Sequence, residues 1–246
     1  MFGRIKKTSI RYSMEKNNLR YERKFFISNL TRHEVESAIR FHPAIFSEIY
    51  YERRVNNIYI DSFDMVNYFD NVVGLEKRTK VRIRWYGDLL GDIHSPVLEF
   101  KVKNGLVCSK SSFPLHGFKL DVNFSKTVLQ DLFKASEISD RSKLDLKCMD
   151  VSLLNSYKRR YYLSADKKYR LTLDSNLEFC GIAAFKNQFL DKSIDHVSVV
   201  LEVKYGEDHD SGASKITSFF PFRMTKSSKY IMGIERLNLM KTYSHV

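Results

Sequence analysis

The sequence predicts an α+β fold built as a closed antiparallel β-barrel with flanking helices, and three observations lead there. Many short segments alternate apolar and polar residues as half-buried strands do. Helical patterns fall mainly between those segments and at the end of the chain. A sheet with this many strands removes its edges most simply by closing on itself.

The elements follow in order. Leu19 to Ile27 reads as a first strand. Thr31 with Glu34 three residues on forms a capping box, and Val35, Ala38, Ile39 and Phe41 keep helical spacing until Pro43. Val55 to Asp61 is the second strand and Ser62 to Phe69 a short helix over it. Glu76 to Tyr86 and Ser95 to Lys103 form a hairpin joined by the Gly- and Asp-rich loop Gly87 to His94, and Leu106 to Pro114 continues the meander. A helix follows from Phe124 to Phe133, with Ser125 as its cap. Ser156 to Ser164, Tyr169 to Ser175 and Ser198 to Tyr205 supply three more strands. Glu207 to Ser211 is a polar turn, and Ala213 to Phe219 and Lys229 to Lys241 are the closing helices.

Composition narrows the class of partner. The 246 residues suit one large domain at 19–246, preceded by a loose basic arm at 1–18. Lys and Arg total 41 against 29 Asp and Glu, giving a formal charge of +12, so the expected partners are anionic. Cys108, Cys148 and Cys180 show no metal or disulfide spacing, which suits reduced thiols in a cytoplasmic setting. No segment reaches the 18 apolar residues of a membrane span, and Met1 to Asn18 has no signal-peptide core; attachment to a membrane would need a membrane-bound partner. Gly-rich phosphate loops and nucleophile motifs are absent.

The chemistry lies in the polar faces of the strands. Side chains alternate along a strand, so Arg82 and Arg84 share one face while Val81, Ile83 and Trp85 share the other. The same division sets Glu99, Lys101 and Lys103, then Arg170, Thr172 and Asp174, then Glu202 and Lys204, opposite apolar neighbours, and Glu22 and Lys24 opposite Tyr21, Arg23 and Phe25. For a single strand this is an ordinary solvent face. Five such strands rich in guanidinium and ammonium groups favour a shared anion site, since Arg offers phosphate a planar fork and Lys a compact charge. Glu202 is a candidate ligand for a hard divalent cation, and Glu22 and Glu99 are placed similarly; each Glu can equally pair with the Lys two positions on. The run Tyr157 to Tyr162 interleaves rings with basic groups, a pattern that fits single-stranded nucleic acid as well as an ordinary strand. Lys226-Ser227-Ser228-Lys229 precedes the last helix, where either serine serves as a cap and the amides can hold an anion.

Several of these motifs carry a resemblance. Tyr21-Glu22-Arg23-Lys24-Phe25, Ile58 to Ser62, Lys80 to Gly87, Leu98-Glu99-Phe100-Lys101, Arg170 to Asp174, Leu201-Glu202-Val203-Lys204 and Lys226 to Tyr230 together resemble the polyphosphate polymerase domain of the vacuolar transporter chaperone (VTC) family, one of the CYTH-like triphosphate tunnel metalloenzymes. Each motif is short, and their joint order from Leu19 to Leu239 is what is specific. The resemblance implies a closed tunnel in which Lys24, Arg82, Arg84, Lys101, Arg159 and Arg170 grip phosphates as catalytic groups. It implies further that Tyr157, Lys204, Lys226, Ser228 and Lys229 bind substrate, and that Glu202 holds Mn2+ or Mg2+. The implied reaction moves the γ-phosphate of ATP onto phosphate or polyphosphate and releases ADP, with no sequence-specific nucleic acid as partner. Position 20 is Arg20, where the tunnel hydrolases carry the first Glu of Glu-x-Glu-x-Lys; this favours the polymerase branch. The alternatives are a tunnel hydrolase of triphosphate or short polyphosphate, and a non-catalytic binder of polyphosphate or RNA.

Overall fold

Hydrogen-bonded strands account for most of the architecture, which is that of a computed structural model describing residues 19–105, 107–183 and 187–239. The arm expected at 1–18, Leu106 and the expected helix end at Met240 and Lys241 lie outside those residues. In order, the elements are β1 (Arg20–Ile27), α1 (Arg32–Arg40), β2 (Ser47–Ser62), α2 (Val66–Val73), β3 (Lys77–Tyr86), β4 (Gly91–Ile93), β5 (Val97–Asn104), β6 (Val107–Pro114), β7 (Phe118–Leu120), α3 (Lys126–Ala135), α4 (Asp140–Lys147), β8 (Met149–Leu163), β9 (Arg170–Cys180), β10 (Lys192–Asp195), β11 (Val199–Gly206), α5 (Asp210–Ser218) and α6 (Lys229–Arg236).

Antiparallel pairing runs β9-β11-β1-β6-β5-β3-β2-β8, and β8 pairs back onto β9, so the sheet is a closed ring. β10 pairs with the end of β9, and β4 with β7 forms a separate two-stranded ribbon. The seam of the ring is β1 against β6, where among the described residues only Arg20 with Cys108 and Tyr21 with Val107 are in register. Beyond Tyr21 the free edge of β1 is met by the segment leading into α6: Thr225 N donates to Lys24 O at 2.8 Å, and Phe26 N donates to Thr225 Oγ1 at 2.8 Å. Those bonds satisfy backbone groups that a closed sheet would otherwise leave unpaired.

Closure divides the apolar residues into three cores. Outside the ring, Trp85, Phe100, Leu129 and Phe133 belong to a core that α3 and α4 cover, and Phe25, Val35, Leu171, Leu201 and Val203 belong to one that α1 and α5 cover. The third lies inside: Val55, Tyr59, Leu153, Tyr157, Leu177 and Phe179 receive Tyr230 and Ile234 of α6. Tyr230 stacks on Tyr59 at 4.9 Å between centroids and donates to Asp61 Oδ2 at 2.7 Å. Gly233 lets α6 approach closely, because a Cβ there would overlap Leu153 and would lie 2.6 Å from Phe179 Cδ1.

The apolar interior exists because β9 changes face partway along. Lys158 pairs with Ser175 and Ser156 with Glu178, so β9 carries one extra residue, and Asn176 sits there with φ of 50°. Before this bulge Leu171 and Leu173 join an outer core; after it Leu177 and Phe179 join the inner one. Asn tolerates the left-handed conformation better than most side chains.

Several boundaries differ from the sequence reading. β2 starts at Ser47 rather than Val55, because Ser47–Arg54 is bulged and groups Ile49, Tyr50 and Tyr51 consecutively between polar residues, which hides its alternation. α2 begins at Val66 rather than Ser62: Asp61 Oδ1 accepts from Ser62 N and Asn67 N, and Oδ2 from Tyr68 N, holding Ser62 to Met65 as a turn. β8 begins at Met149 and β9 extends to Cys180, both through buried residues without clear alternation. The short elements α4 and β10 have no counterpart in the sequence reading, and α6 ends at Arg236.

Asn176→Val should lower unfolding stability by about 1 to 2 kcal/mol, the cost of a β-branched residue in a left-handed conformation. Asn176→Gly should stay closer to the wild type, both read from urea unfolding; equal losses would mean the bulge is not strained.

Candidate active site

The ring encloses a cavity of about 440 Å3, within the usual size of a ligand site. Of the twelve residues singled out above, Lys24, Arg82, Arg84, Lys101, Tyr157, Arg159, Arg170, Glu202, Lys204, Ser228 and Lys229 line it. Lys226 is exposed and is not part of the lining, and Arg170 reaches the cavity from an exposed position. Arg20, Glu22, Lys80 and Lys110 also line it. Lys80 has the same parity as Arg82 and Arg84, so alternation alone could have found it. Lys110 needed the β5–β6 register, which sets it beside Lys101.

Buried carboxylates hold this basic wall in place. Glu99, 4% exposed, accepts from Arg82 Nε at 2.8 Å and Lys110 Nζ at 2.8 Å, and lies 2.6 Å from Arg82 Nη2 and 3.6 Å from Arg84 Nη1. Burial raises its pKa, but Arg82, Arg84 and Lys110 outweigh that and hold it far below the usual carboxylate range. Asp174 accepts a two-point contact from Arg159 at 2.5 and 2.6 Å, and Lys229 Nζ reaches it at 2.5 Å. That joins α6 to β8 and β9 through one carboxylate. Against the penalty of burial, Arg159 and Lys229 lower the pKa of Asp174 to about 2.

The second acidic pair lies beside the seam. Glu202 accepts from Lys24 Nζ at 2.7 Å and is 2.8 Å from Lys204 Nζ. Glu22 accepts from Lys101 Nζ at 2.6 Å and is 3.8 Å from Lys24 Nζ. Burial opposes the charge on Glu202, yet Lys204 and Lys24 hold its pKa well below normal. Among the described residues no group of three or more His, Cys, Asp or Glu side chains is arranged to hold a metal ion. Two ionised carboxylates bridged by Lys24 nevertheless suit a hard divalent cation that takes most of its oxygens from phosphate and water.

Two groups are poised for a negative guest. Lys80 Nζ donates to Ser228 Oγ at 2.7 Å, and Ser228 Oγ also caps α6 by accepting from Ile231 N. Burial first, then Lys24, Lys101, Arg78 and Arg82, push the pKa of Lys80 well below its ordinary value. Tyr157 is 2% exposed, and its hydroxyl accepts from Arg84 Nη2 at 3.2 Å. Burial raises the phenol, but Arg159, Arg84 and Lys229 outweigh it and bring its pKa down to about 8. Arg84 Nε donates to Asn57 Oδ1 at 3.0 Å, which fixes its plane.

Comparison with known proteins agrees with this geometry. The VTC domain matches residues 19–238. No curated protein matches by sequence. Among solved structures, a Hippeastrum protein described as an adenylyl cyclase with a dominant triphosphatase activity superposes with a TM-score of 0.53 at 13% identity, covering 89% of this chain and 96% of its own. A Pyrococcus horikoshii protein gives 0.49 at 12% identity, covering 88% and 99%. A Vibrio parahaemolyticus protein described as an adenylate cyclase gives 0.43 at 11%, covering 93% and 89%. At 13% identity the likeness to the Hippeastrum protein is one of fold.

The affinity of the cavity for an anion should depend on pH in one direction. A bound anion favours charged Lys80 and neutral Tyr157, so binding takes up protons and weakens as pH rises, with Tyr157, brought down to about 8, setting where its own share is lost. Titration calorimetry with inorganic triphosphate should show affinity falling at least about tenfold between about pH 7 and about pH 9, with a shallower fall in Tyr157→Phe. A flat profile would contradict the assignment.

Proposed function

Because this chain belongs to the VTC domain family, we propose that it is a polyphosphate polymerase, moving the γ-phosphoryl group of ATP onto phosphate or polyphosphate inside the ring. The observation that carries this reading is the convergence of Lys24, Arg82, Arg84, Lys101, Arg159 and Lys204 on one enclosed cavity. Phosphoryl transfer asks little covalent chemistry of a protein; alignment and neutralisation of oxygens do most of the work. In that step the acceptor phosphate oxygen forms a new bond to the γ-phosphorus, the bond from phosphorus to the bridging oxygen breaks, and ADP leaves with that electron pair.

Arg82 and Arg84 arrive with their guanidinium planes fixed by Glu99 and Asn57, so they need little reorganisation to meet charge in the transition state. Arg159, held by Asp174, lies beside them across Tyr157, and Lys204 and Lys24 flank Glu202. Glu202, with Glu22 beside it, would hold Mn2+ or Mg2+, and such an ion neutralises phosphate oxygens when bound.

The pairing of the carboxylates supports a phosphate acceptor over water. Glu22, Glu99, Asp174 and Glu202 are each engaged by Lys or Arg, so none stands ready as a general base to activate water. An ionised phosphate acceptor needs no base. Hydrolysis of triphosphate, the activity named for the Hippeastrum protein, is the second reading. A cytoplasmic setting suits a substrate such as ATP. Among the described residues no helix is long and apolar enough to cross a membrane.

Purified protein incubated with ATP and Mn2+ should produce a phosphate polymer resolved by gel sizing. Arg84→Ala should reduce turnover by about two to three orders of magnitude while the protein stays folded, the scale of losing one pre-organised charge donor. Free phosphate without chain growth would replace this reading with hydrolysis. No product, together with an unaltered Glu202→Ala variant, would remove both.

A further inference from the structure

Helix α2 is turned the opposite way from an ordinary surface helix, which buries an apolar stripe and shows polar residues to water. Here Asn67 and Tyr68 are the buried residues, while Val66, Phe69, Val72 and Val73 face outward. Val66, Phe69 and Val73 follow one another at helical spacing, so they form a continuous ridge. Leu75 extends it: the C-cap Gly74 adopts φ of 79°, and the chain folds back so that Leu75 N donates to Asp70 O at 3.0 Å. The side chains of this ridge are between 40% and 74% exposed.

The ridge is held in shape from beneath. Asp61 accepts from Asn67 N and Tyr68 N at 2.9 Å each and from the Tyr230 hydroxyl at 2.7 Å, and Tyr68 meets Tyr230 edge to face at 6.2 Å. A surface ordered in advance loses little further freedom when something covers it. Its charge is as unusual as its apolarity. The chain has 41 Lys and Arg among 246 residues, yet none falls between Val55 and Glu76. That stretch instead sets exposed Asp64 and Glu76 and half-buried Asp70 around the ridge. Glu235 of α6 adds to this border: after burial, its charge is what raises the pKa of the Tyr68 phenol. Of the basic residues that follow, Lys77 is exposed and Arg78 is drawn back to Leu75 O at 2.8 Å. An apolar centre with a charged rim is the pattern of a protein-docking surface.

We propose that α2 is the docking face for a basic amphipathic helix of a partner protein, whose apolar side covers Val66, Phe69, Val72 and Val73 and whose Lys or Arg residues meet Asp64, Asp70 and Glu76. A ridge at helical spacing accepts a second helix laid along it. The carboxylates choose its charge. They repel an anionic lipid surface, and two copies of this chain paired α2 to α2 would set their acidic rims against each other. None of the ridge residues lines the ring cavity, so the docking face stands whether or not the cavity binds phosphate.

The test measures binding of the full chain to a fluorescent amphipathic peptide of Leu and Lys at helical spacing, beside a Leu and Glu peptide of the same pattern and a scrambled Leu and Lys peptide. The wild type should bind the first saturably and the other two at least about tenfold more weakly. Val73→Ser should weaken the first about tenfold by removing buried apolar area. Asp70→Asn with Glu76→Gln should weaken it about threefold and flatten its salt dependence. Urea unfolding of both variants should match the wild type, which separates docking from folding. No saturable binding of the Leu and Lys peptide, or equal binding by Val73→Ser, would overturn the proposal. Without peptide binding, dimerisation in sedimentation that Val73→Ser abolishes would give the face to a second copy, and pelleting with phosphatidylserine vesicles that Val73→Ser abolishes would give it to a membrane.

Discussion

Lys80 carries an ammonium group into an interior it shares with Lys24, Lys101, Arg78 and Arg82, and the acceptor it meets there is the Ser228 hydroxyl. Closure of the ring forces this arrangement. Once β8 pairs back onto β9, every second side chain of eight strands must point into one enclosure. Like charges that would be harmless on an open sheet then face one another at short range and low dielectric. Four carboxylates offset much of the repulsion: Glu99 serves Arg82 and Lys110, Asp174 serves Arg159 and Lys229, and Glu22 and Glu202 serve Lys101, Lys24 and Lys204. Lys80 is left to a neutral partner, and an anion in the cavity would complete the pairing.

The same closure gives the cavity its two unlike ends. The bulge at Asn176 turns β9 from a charged inner face to an apolar one, and α6 fills that apolar end with Tyr230 and Ile234. The helix also brings polar groups to the cavity wall, since Lys229 reaches Asp174 and the cap residue Ser228 accepts from Lys80. Stability and binding are therefore coupled at the first turn of α6. Packing of Tyr230 against Tyr59, and its hydrogen bond to Asp61, hold the two cavity-lining side chains before it in position.

How much of this is legible in the sequence depends on period and register. Arg82 with Arg84, Glu202 with Lys204, and Arg170 with Asp174 sit on clean alternations, so their shared inward face follows from strand periodicity alone. Lys110 is different, because its parity becomes meaningful only once β6 is registered against β5. The roles of Glu99 and Asp174 as clamps are hidden for a related reason: Glu99 meets Arg82 from the neighbouring strand, and Asp174 meets Lys229 from the last helix. The early part of β2 is illegible because its bulges scramble the period, yet those bulges set Arg53 over the Tyr50 ring. Lys226 shows the opposite error: it stands beside Ser228 in sequence, but the turn into α6 points it to solvent.

Charged side chains from distant strands share one interior, and an anion would complete their pairing. A crystal structure of the protein soaked with inorganic triphosphate tests it most directly. The account predicts phosphate density inside the ring, with oxygens within hydrogen-bonding distance of Lys80 Nζ and the Arg84 guanidinium. Phosphate bound only on the outer surface, with water filling the interior, would contradict it.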